Sequence, residues 1–297
     1  MSGLADEAGR SGPEPLASGP VYVLGSGESL LGLTAGQKAE LARHPRVAMN
    51  KYLLFWEKVG VWPSHLFLAD AHYPAVRVYQ ESHRVIASGV AEGRSGVHFL
   101  LDRLYARKYG AGRWRGRAGW ANLKTFGRGL LSQRFVYRPW YRPEPVTFFA
   151  HEIASQSSPG WARSLEEPLY FYRGSLTVLI NLLCLLFPGR ELCLLGVDLT
   201  GPSFFDAELT ARPELHDRYV RLEREQPGEG LHATQRVIEG LPGVMSRLPE
   251  VVEHAAGMGV RVTCGSRSSL LVSEGVCEYV SVPEADADAE AERELMV

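Results

Sequence analysis

The chain has 297 residues, of which 45% are hydrophobic and 22% charged, and its net charge is −2. That composition suits one large globular domain or two small ones, and it supplies no global field to draw in nucleic acid or a membrane surface. The four cysteines, Cys184, Cys193, Cys264 and Cys277, fall in apolar runs with no C-x-x-C pair. They read as small buried hydrophobes in a reducing compartment, and a structural zinc site is not expected.

Residues 1–19 are rich in Gly, Pro, Ser and acidic side chains and lack the basic start and apolar core of a secretory signal. They are expected to be a disordered arm ahead of a single domain over 20–282. The first strand-like run, Val21–Leu24, collapses into Gly25-Ser26-Gly27-Glu28-Ser29-Leu30 and opens onto a helical pattern that reaches His44. Gly25 and Gly27 can take positive φ and let a ligand approach the main chain, and Ser29 offers a hydroxyl near the helix start. The phosphate of a nucleotide or nucleotide-sugar is the natural guest. The turn lacks the third glycine of the dinucleotide fingerprint and the Gly-Lys-Ser/Thr ending of a P-loop. A plain strand-to-helix turn needs the same glycines.

Further strand-like runs lie at Arg46–Met49, His65–Ala69, Arg84–Ala87, Val146–Ala150, Glu191–Leu195, Gly259–Cys264 and Val276–Val282, with helical patterns between several of them. This rhythm predicts an α/β fold with a mainly parallel sheet flanked by helices. In such a sheet the carboxyl ends of the strands line the ligand crevice, so Asn50 and Asp70 are expected beside the Gly25 turn. His72, two residues after Asp70, is a competing base or half of an Asp-x-His metal site, although two ligands do not define one.

Between about 93 and 145 the pattern gives way to an insertion rich in Arg, Trp and Tyr, including Arg113-Trp114-Arg115-Gly116-Arg117 and Tyr137-Arg138-Pro139-Trp140-Tyr141-Arg142. Such a surface suits a carbohydrate or an anionic polymer, single-stranded RNA among them, though the net charge gives no reason to expect nucleic acid. The same residues also serve to hold an irregular excursion against a core.

Ser175 leads into the apolar run Leu176–Phe187 and is placed to cap it. That run contains Asn181, stops at Pro188-Gly189, and is too short for a bilayer span of roughly 20 residues, so it reads as a buried helix. Asp198 follows the next strand, at another carboxyl edge. Residues 201–232 are charged and read as a lid, with a short helix from Pro213 to Glu225 and with His232 where the chain re-enters the fold. A helical stretch over Gln235–Gly257 follows. Residues 283–297 read as a solvated acidic tail, whose Asp286-Ala287-Asp288 only imitates a metal-binding D-x-D.

Taken in order, these pieces resemble the bacterial CMP-sialic-acid-dependent sialyltransferases of carbohydrate-active family 42. The resemblance rests on Gly25-Ser26-Gly27-Glu28-Ser29-Leu30, Asn50, Arg173, Leu195-Gly196-Val197-Asp198, the lid, His232 and Cys264-Gly265-Ser266-Arg267-Ser268-Ser269-Leu270-Leu271. It implies a single GT-A-like domain that binds a CMP-sugar without a metal ion or other cofactor. It further implies that Gly25, Ser26, Gly27 and Ser29 cradle the nucleotide phosphate and ribose, with Asn50, Asp70, Ser175 and Asp198 near the donor. Ser266, Ser268 and Ser269 would cover the base and phosphate side, His232 would be the general base, and Arg173 would balance the departing phosphate.

Departures from that family's pattern are Ser26 in place of Asn, Glu28 in place of Pro, Asp70 in place of Asn, and Gly201-Pro202-Ser203-Phe204-Phe205 in place of phosphate-stabilising tyrosines. Either another lid residue such as Tyr219 or Arg218 would take over that role, or the donor chemistry differs. A weaker similarity, through the Gly-Ser-Gly-x-Ser-Leu opening and Gly-x-Asp, runs to 6-hydroxymethylpterin pyrophosphokinase-like proteins. It implies ATP and magnesium held by Asp70 and Asp198. A nucleotide- or glycan-binding protein without turnover is a third reading. The expected location is the cytoplasm, the expected partners are a CMP-sugar donor and a glycan or glycolipid acceptor, and peripheral membrane contact and self-association stay open.

Overall fold

The run Val21-Tyr22-Val23-Leu24 is apolar at every position, the pattern of a strand covered on both faces, and it forms β1 (Val21–Leu24) in the middle of the sheet. In the computed structural model, which describes residues 19–69, 73–103, 146–153, 160–201, 203–211, 233–235 and 242–285, all four side chains are buried. The remaining strands are β2 (Arg46–Met49), β3 (His65–Leu68), β4 (His98–Asp102), β5 (Val146–Phe149), β6 (His151–Ile153), β7 (Leu169–Phe171), β8 (Leu192–Leu195), β9 (Val262–Cys264) and β10 (Glu278–Tyr279). An eight-stranded sheet runs in the order β10-β9-β8-β1-β2-β3-β4-β5, and every neighbouring pair in it is parallel. β6 and β7 form a separate parallel pair.

Alternate residues of each strand feed two cores. Val21 and Val23, with Val47, Phe67, Leu100, Leu192 and Leu194, pack on the face covered by α4 (Ser175–Leu186) and α6 (Leu248–Gly257). Tyr22 and Leu24, with Ala48, Leu66, Leu68 and Phe99, pack on the face covered by α1 (Ala35–Ala42), α2 (Trp56–Val59) and α3 (Tyr73–Ala91). The chain therefore winds outward from β1 to β5, then returns to the other side of β1 at β8. The order of connection reverses between β1 and β8, which creates the crevice typical of doubly wound sheets.

Asn181 explains how so apolar a helix as α4 carries an amide. Its Oδ1 accepts from the backbone N–H of Ala162 (3.2 Å) and Tyr170 (3.1 Å), and its Nδ2 donates to Ala162 O (2.9 Å). The side chain thus ties β7 and the segment before it to the fully buried helix.

Several sequence expectations need correction. Arg84–Ala87 is not a strand but part of α3, where the buried residues Val78, Tyr79, Ser82, Ile86 and Gly89 recur at helical spacing. The longer period outweighs the local β-branched content. The insertion is shorter than expected, because His98–Asp102 within it is the sheet strand β4; residues 104–145 lie outside the described residues. The first helix is split into a 3-10 turn over Glu28–Gly32 and α1, because Thr34 and Gln37 form a reciprocal capping box. α6 begins only at Leu248, with a proline in its first turn. Nor does the acidic tail begin at residue 283. Glu284 accepts from the Thr34 hydroxyl at 2.7 Å at the start of α1, and Ala285 N–H donates to Gly36 O, so a carboxylate sits at a helix N-terminus where the dipole favours it. Within the lid, a helix occupies Asp206–Ala211 (α5), and Pro213 to Glu225 lies outside the described residues.

All four cysteines are free and buried, in agreement with the sequence. Among the described residues no helix is long and apolar enough to cross a membrane.

At the amino end of the sheet, His65 of β3 stacks on His98 of β4 with centroids 5.1 Å apart. Burial pushes the His65 pKa down to about 4, helped by His98 and Arg46, and burial does the same to His83 on α3. Both rings are therefore harder to protonate in the folded state than in the unfolded chain, whose histidines titrate near roughly 6.5. Their stabilisation is complete above that pH and is lost as pH falls towards 4, by an upper limit of about 3 kcal/mol per ring. Urea midpoints measured from pH 7.5 to 4.5 are expected to begin falling near pH 6.5, above the carboxylate range. A midpoint that stays level down to pH 5 would contradict this.

Candidate functional site

Two loops meet at the point where the winding reverses. After β1 the turn Gly25-Ser26-Gly27 leads into the 3-10 segment that starts at Glu28; after β8 the turn Gly196-Val197-Asp198 leads away from the sheet. Gly25 N–H donates to Leu195 O (2.8 Å) and Gly27 N–H to Gly196 O (2.6 Å). Asp198 then closes the join, accepting the Ser29 hydroxyl at 2.6 Å on Oδ1 and the Ser29 N–H at 3.0 Å on Oδ2. The two loops are stitched together by backbone and side chain alike.

This changes why the glycines are needed. Gly25 and Gly27 are not among the positive-φ residues, and Gly27 is extended at φ −71°. A Cβ on Gly25 would collide with the Gly196 carbonyl, and one on Gly27 with the Asp198 carboxylate. Close approach of the neighbouring loop, not a left-handed turn, demands their small size. The Asp198 carboxylate also occupies the Ser29 hydroxyl that the sequence offers to a ligand, together with the Ser29 N–H. In the turn itself, the Ser26 amide is the one left for a ligand among the described residues.

The residues after Asp198 return across the same turn. Gly27 and Ser203 form an isolated antiparallel bridge, and Phe204 N–H donates to Ser26 O at 2.9 Å. Phe204 packs edge-on to Tyr52 and Phe205 stacks on Phe55 with centroids 5.1 Å apart, both phenylalanines being buried. The lid thus begins as an anchored strap, and its two phenylalanines are core residues rather than vacant hydroxyl positions.

Other candidates line the same edge. Asn50, immediately after β2, is left-handed (φ 50°), and so are Arg173 after β7 (φ 53°) and Leu199 after β8 (φ 59°). They are the non-glycine residues with positive φ among those described, and all three lie in loops that follow strand ends. Backbone strain of this kind gathers at binding sites. Ser269 caps α7 (Leu270–Ser273), accepting from Leu271 N–H, while its hydroxyl donates to Val197 O at 2.7 Å. It is fully buried and holds two loops together. Ser266 and Ser268 pair with each other at 3.0 Å.

Ser175 does not cap α4: Gly174 stands at the cap position with no side-chain bond, and Ser175 is the first helical residue. Thr177 Oγ1 serves the region instead, accepting from Tyr172 N–H at 2.9 Å. The chain that re-enters after the lid packs here, since Thr234 Cγ2 would lie 2.9 Å from a Cβ on Gly174. His232, Asp70, His72, Arg218 and Tyr219 lie outside the described residues.

The sequence reading passed over a pair further along the edge. Asp102 ends β4 and is 2% exposed, and its Oδ2 lies 2.5 Å from Nδ1 of His151, the first residue of β6. The available signal was an acidic residue closing the apolar run Phe99-Leu100-Leu101, which the irregular composition downstream of it obscured.

The fold is therefore α/β, with a mainly parallel eight-stranded sheet flanked by helices. Comparison with protein-family models, with curated proteins and with solved structures finds no match. Among the described residues no group of three or more His, Cys, Asp and Glu side chains is placed to hold a metal ion.

Proposed function

We propose that the protein is an inverting glycosyltransferase of GT-A-like architecture that moves an acidic, sialic-acid-like sugar from a CMP-sugar to a glycan or glycolipid acceptor without a divalent ion. The observation that carries this reading is the pairing of Ser29 with Asp198, which joins two motifs 169 residues apart at the crevice of the sheet. Each carboxylate oxygen retains lone pairs beyond those used by Ser29, suited to ribose hydroxyls as acidic residues are in other doubly wound sheets. The phosphate then belongs on the Ser26 side of the turn, away from Asp198, with the Arg173 guanidinium balancing the charge that develops as it departs. A cytoplasmic location and peripheral contact with a membrane-borne acceptor belong to the same proposal; the resemblance taken alone would give the general base to His232.

The test is a thermal-shift series with CMP, CDP and ATP, each with magnesium and with EDTA. A ligand that binds only the folded chain raises its melting temperature by mass action. CMP is expected to raise it equally with EDTA and with magnesium. A shift seen with ATP alone, and abolished by EDTA, would overturn the proposal in favour of phosphoryl transfer.

A further inference from the structure

A second polar centre lies on the carboxyl edge, three strands from the point where the winding reverses. Asp102 closes β4 after Phe99, Leu100 and Leu101, all buried, and sits opposite Phe149 in the sheet register. An apolar residue would satisfy that packing. A carboxylate there loses several kcal/mol of hydration unless a partner compensates it, and such pairs gather where chemistry needs them. One partner is His151, whose Nδ1 lies 2.5 Å from Asp102 Oδ2, with the histidine side chain 15% exposed and the aspartate 3%.

We propose that His151, in place of the His232 that the resemblance would assign, is the general base of the transfer reaction and that Asp102 is the positioning residue that orients it. The inference rests on the transferase reading of the site. Asp102 holds the Nδ1 edge of the ring in the interior, which leaves Nε2 as the nitrogen that accepts a proton, and Phe171 flanks the ring with centroids 4.9 Å apart. Phe171 is followed two residues later by Arg173, so one short segment carries both the base's neighbour and the guanidinium. Three strand spacings put the pair about 14 Å along the edge from the end of β1, at roughly 4.8 Å per strand. That is the reach of a nucleotide at the crevice with its sugar laid towards β4.

In the step itself the acceptor O–H gives its proton to His151 Nε2 while the oxygen forms a bond to the anomeric carbon. The bond from that carbon to the phosphate oxygen breaks, and its electron pair leaves with CMP. The imidazolium then returns its proton to solvent. The Asp102 carboxylate beside Nδ1 stabilises the charge that develops on the ring.

The test has two readouts on the full chain. In the first, histidines are labelled with diethylpyrocarbonate at pH 7 and followed by peptide mass spectrometry, with the buried His65 and His83 as internal references. His151 is expected to react at least about tenfold faster than either, and several-fold more slowly in Asp102→Asn. A His151 as inert as His65 in the wild type overturns the proposal, whether or not the variant folds. In the second, CMP release from CMP-N-acetylneuraminate is measured for the wild type and for His151→Gln. The variant is expected to lose about 100-fold or more in rate, within the usual range for a general base, while the thermal shift by CMP is unchanged. An unchanged rate overturns the role of His151. If the wild type releases no CMP, the transferase reading fails and the general-base role with it, whereas a fast-reacting His151 in the same sample still marks the pair as a proton acceptor for other chemistry.

Discussion

Replacing Asn181 with leucine is expected to destabilise the protein by about 3–5 kcal/mol, although leucine is close to asparagine in size and far more apolar. The side chain is fully buried in α4 and satisfies three backbone groups, the N–H and C=O of Ala162 and the N–H of Tyr170. Leucine gains a transfer term of about 2 kcal/mol. Against it stand two amides and a carbonyl left in a region that water does not reach, each costing about 1–3 kcal/mol. The unmet groups win. Because they belong to β7 and the segment before it, the loss is expected to loosen that region more than the main sheet. Urea denaturation of Asn181→Leu checks the total, and amide exchange at Tyr170 and Ala162 checks the place. A variant as stable as the wild type would mean that the two segments find other partners.

Substitution of Asp198 separates structure from ligand chemistry. Asp198→Ala removes both acceptors used by Ser29, and charge-assisted bonds of this type each contribute about 1.5–3 kcal/mol where they are shielded from water. Ser29 is half-buried, so water replaces part of the loss, and about 2–3 kcal/mol is expected. Asp198→Asn retains one acceptor at the same shape and is expected to cost roughly half of that.

Two effects on nucleotide binding oppose each other. The carboxylate repels a phosphate on the Ser26 side of the turn by about 2 kcal/mol at a separation of about 8 Å and an effective dielectric of 20, before salt screening. Its bonds to the ribose hydroxyls contribute about 1–2 kcal/mol and are weakened in the amide. CMP is therefore expected to bind Asp198→Asn within about fivefold of the wild type, measured by calorimetry in EDTA. If Asp198 instead anchors magnesium for a triphosphate, the same substitution abolishes ATP binding. Retention against loss of nucleotide binding distinguishes the two chemistries without any knowledge of the acceptor.

The principal strands were legible from the sequence because they are buried on both faces. Val21–Leu24 and Leu192–Leu195 are apolar at every position, bounded by breakers, and no amphipathic helix reads that way. Helix α4 was legible for the same reason, its end marked by Pro188-Gly189. Arg84–Ala87 was misread because a four-residue window of Arg-Val-Ile-Ala carries β-branched content but is too short to show the helical period that runs through the 19 residues of α3. β4 was missed because its apolar run adjoins an arginine- and glycine-rich stretch of quite different character.

What the sequence determined by itself was local. It named the glycines of the first turn, the aspartate after Gly196 and the serines after Cys264, because breaker chemistry and hydrophobic period depend on neighbours a few residues away. Only the tertiary structure decided what those groups are for. Gly25 and Gly27 are small because the Gly196 and Asp198 loop presses on them, Ser269 is buried to tie α7 to Val197, and Phe204 and Phe205 are packed against Tyr52 and Phe55. The pairing of Asp102 with His151 is of the same kind, joining the end of one strand to the residue that leaves the next. Contacts between residues far apart in the chain are set by the order and register in which the strands pair, and no local pattern encodes that order.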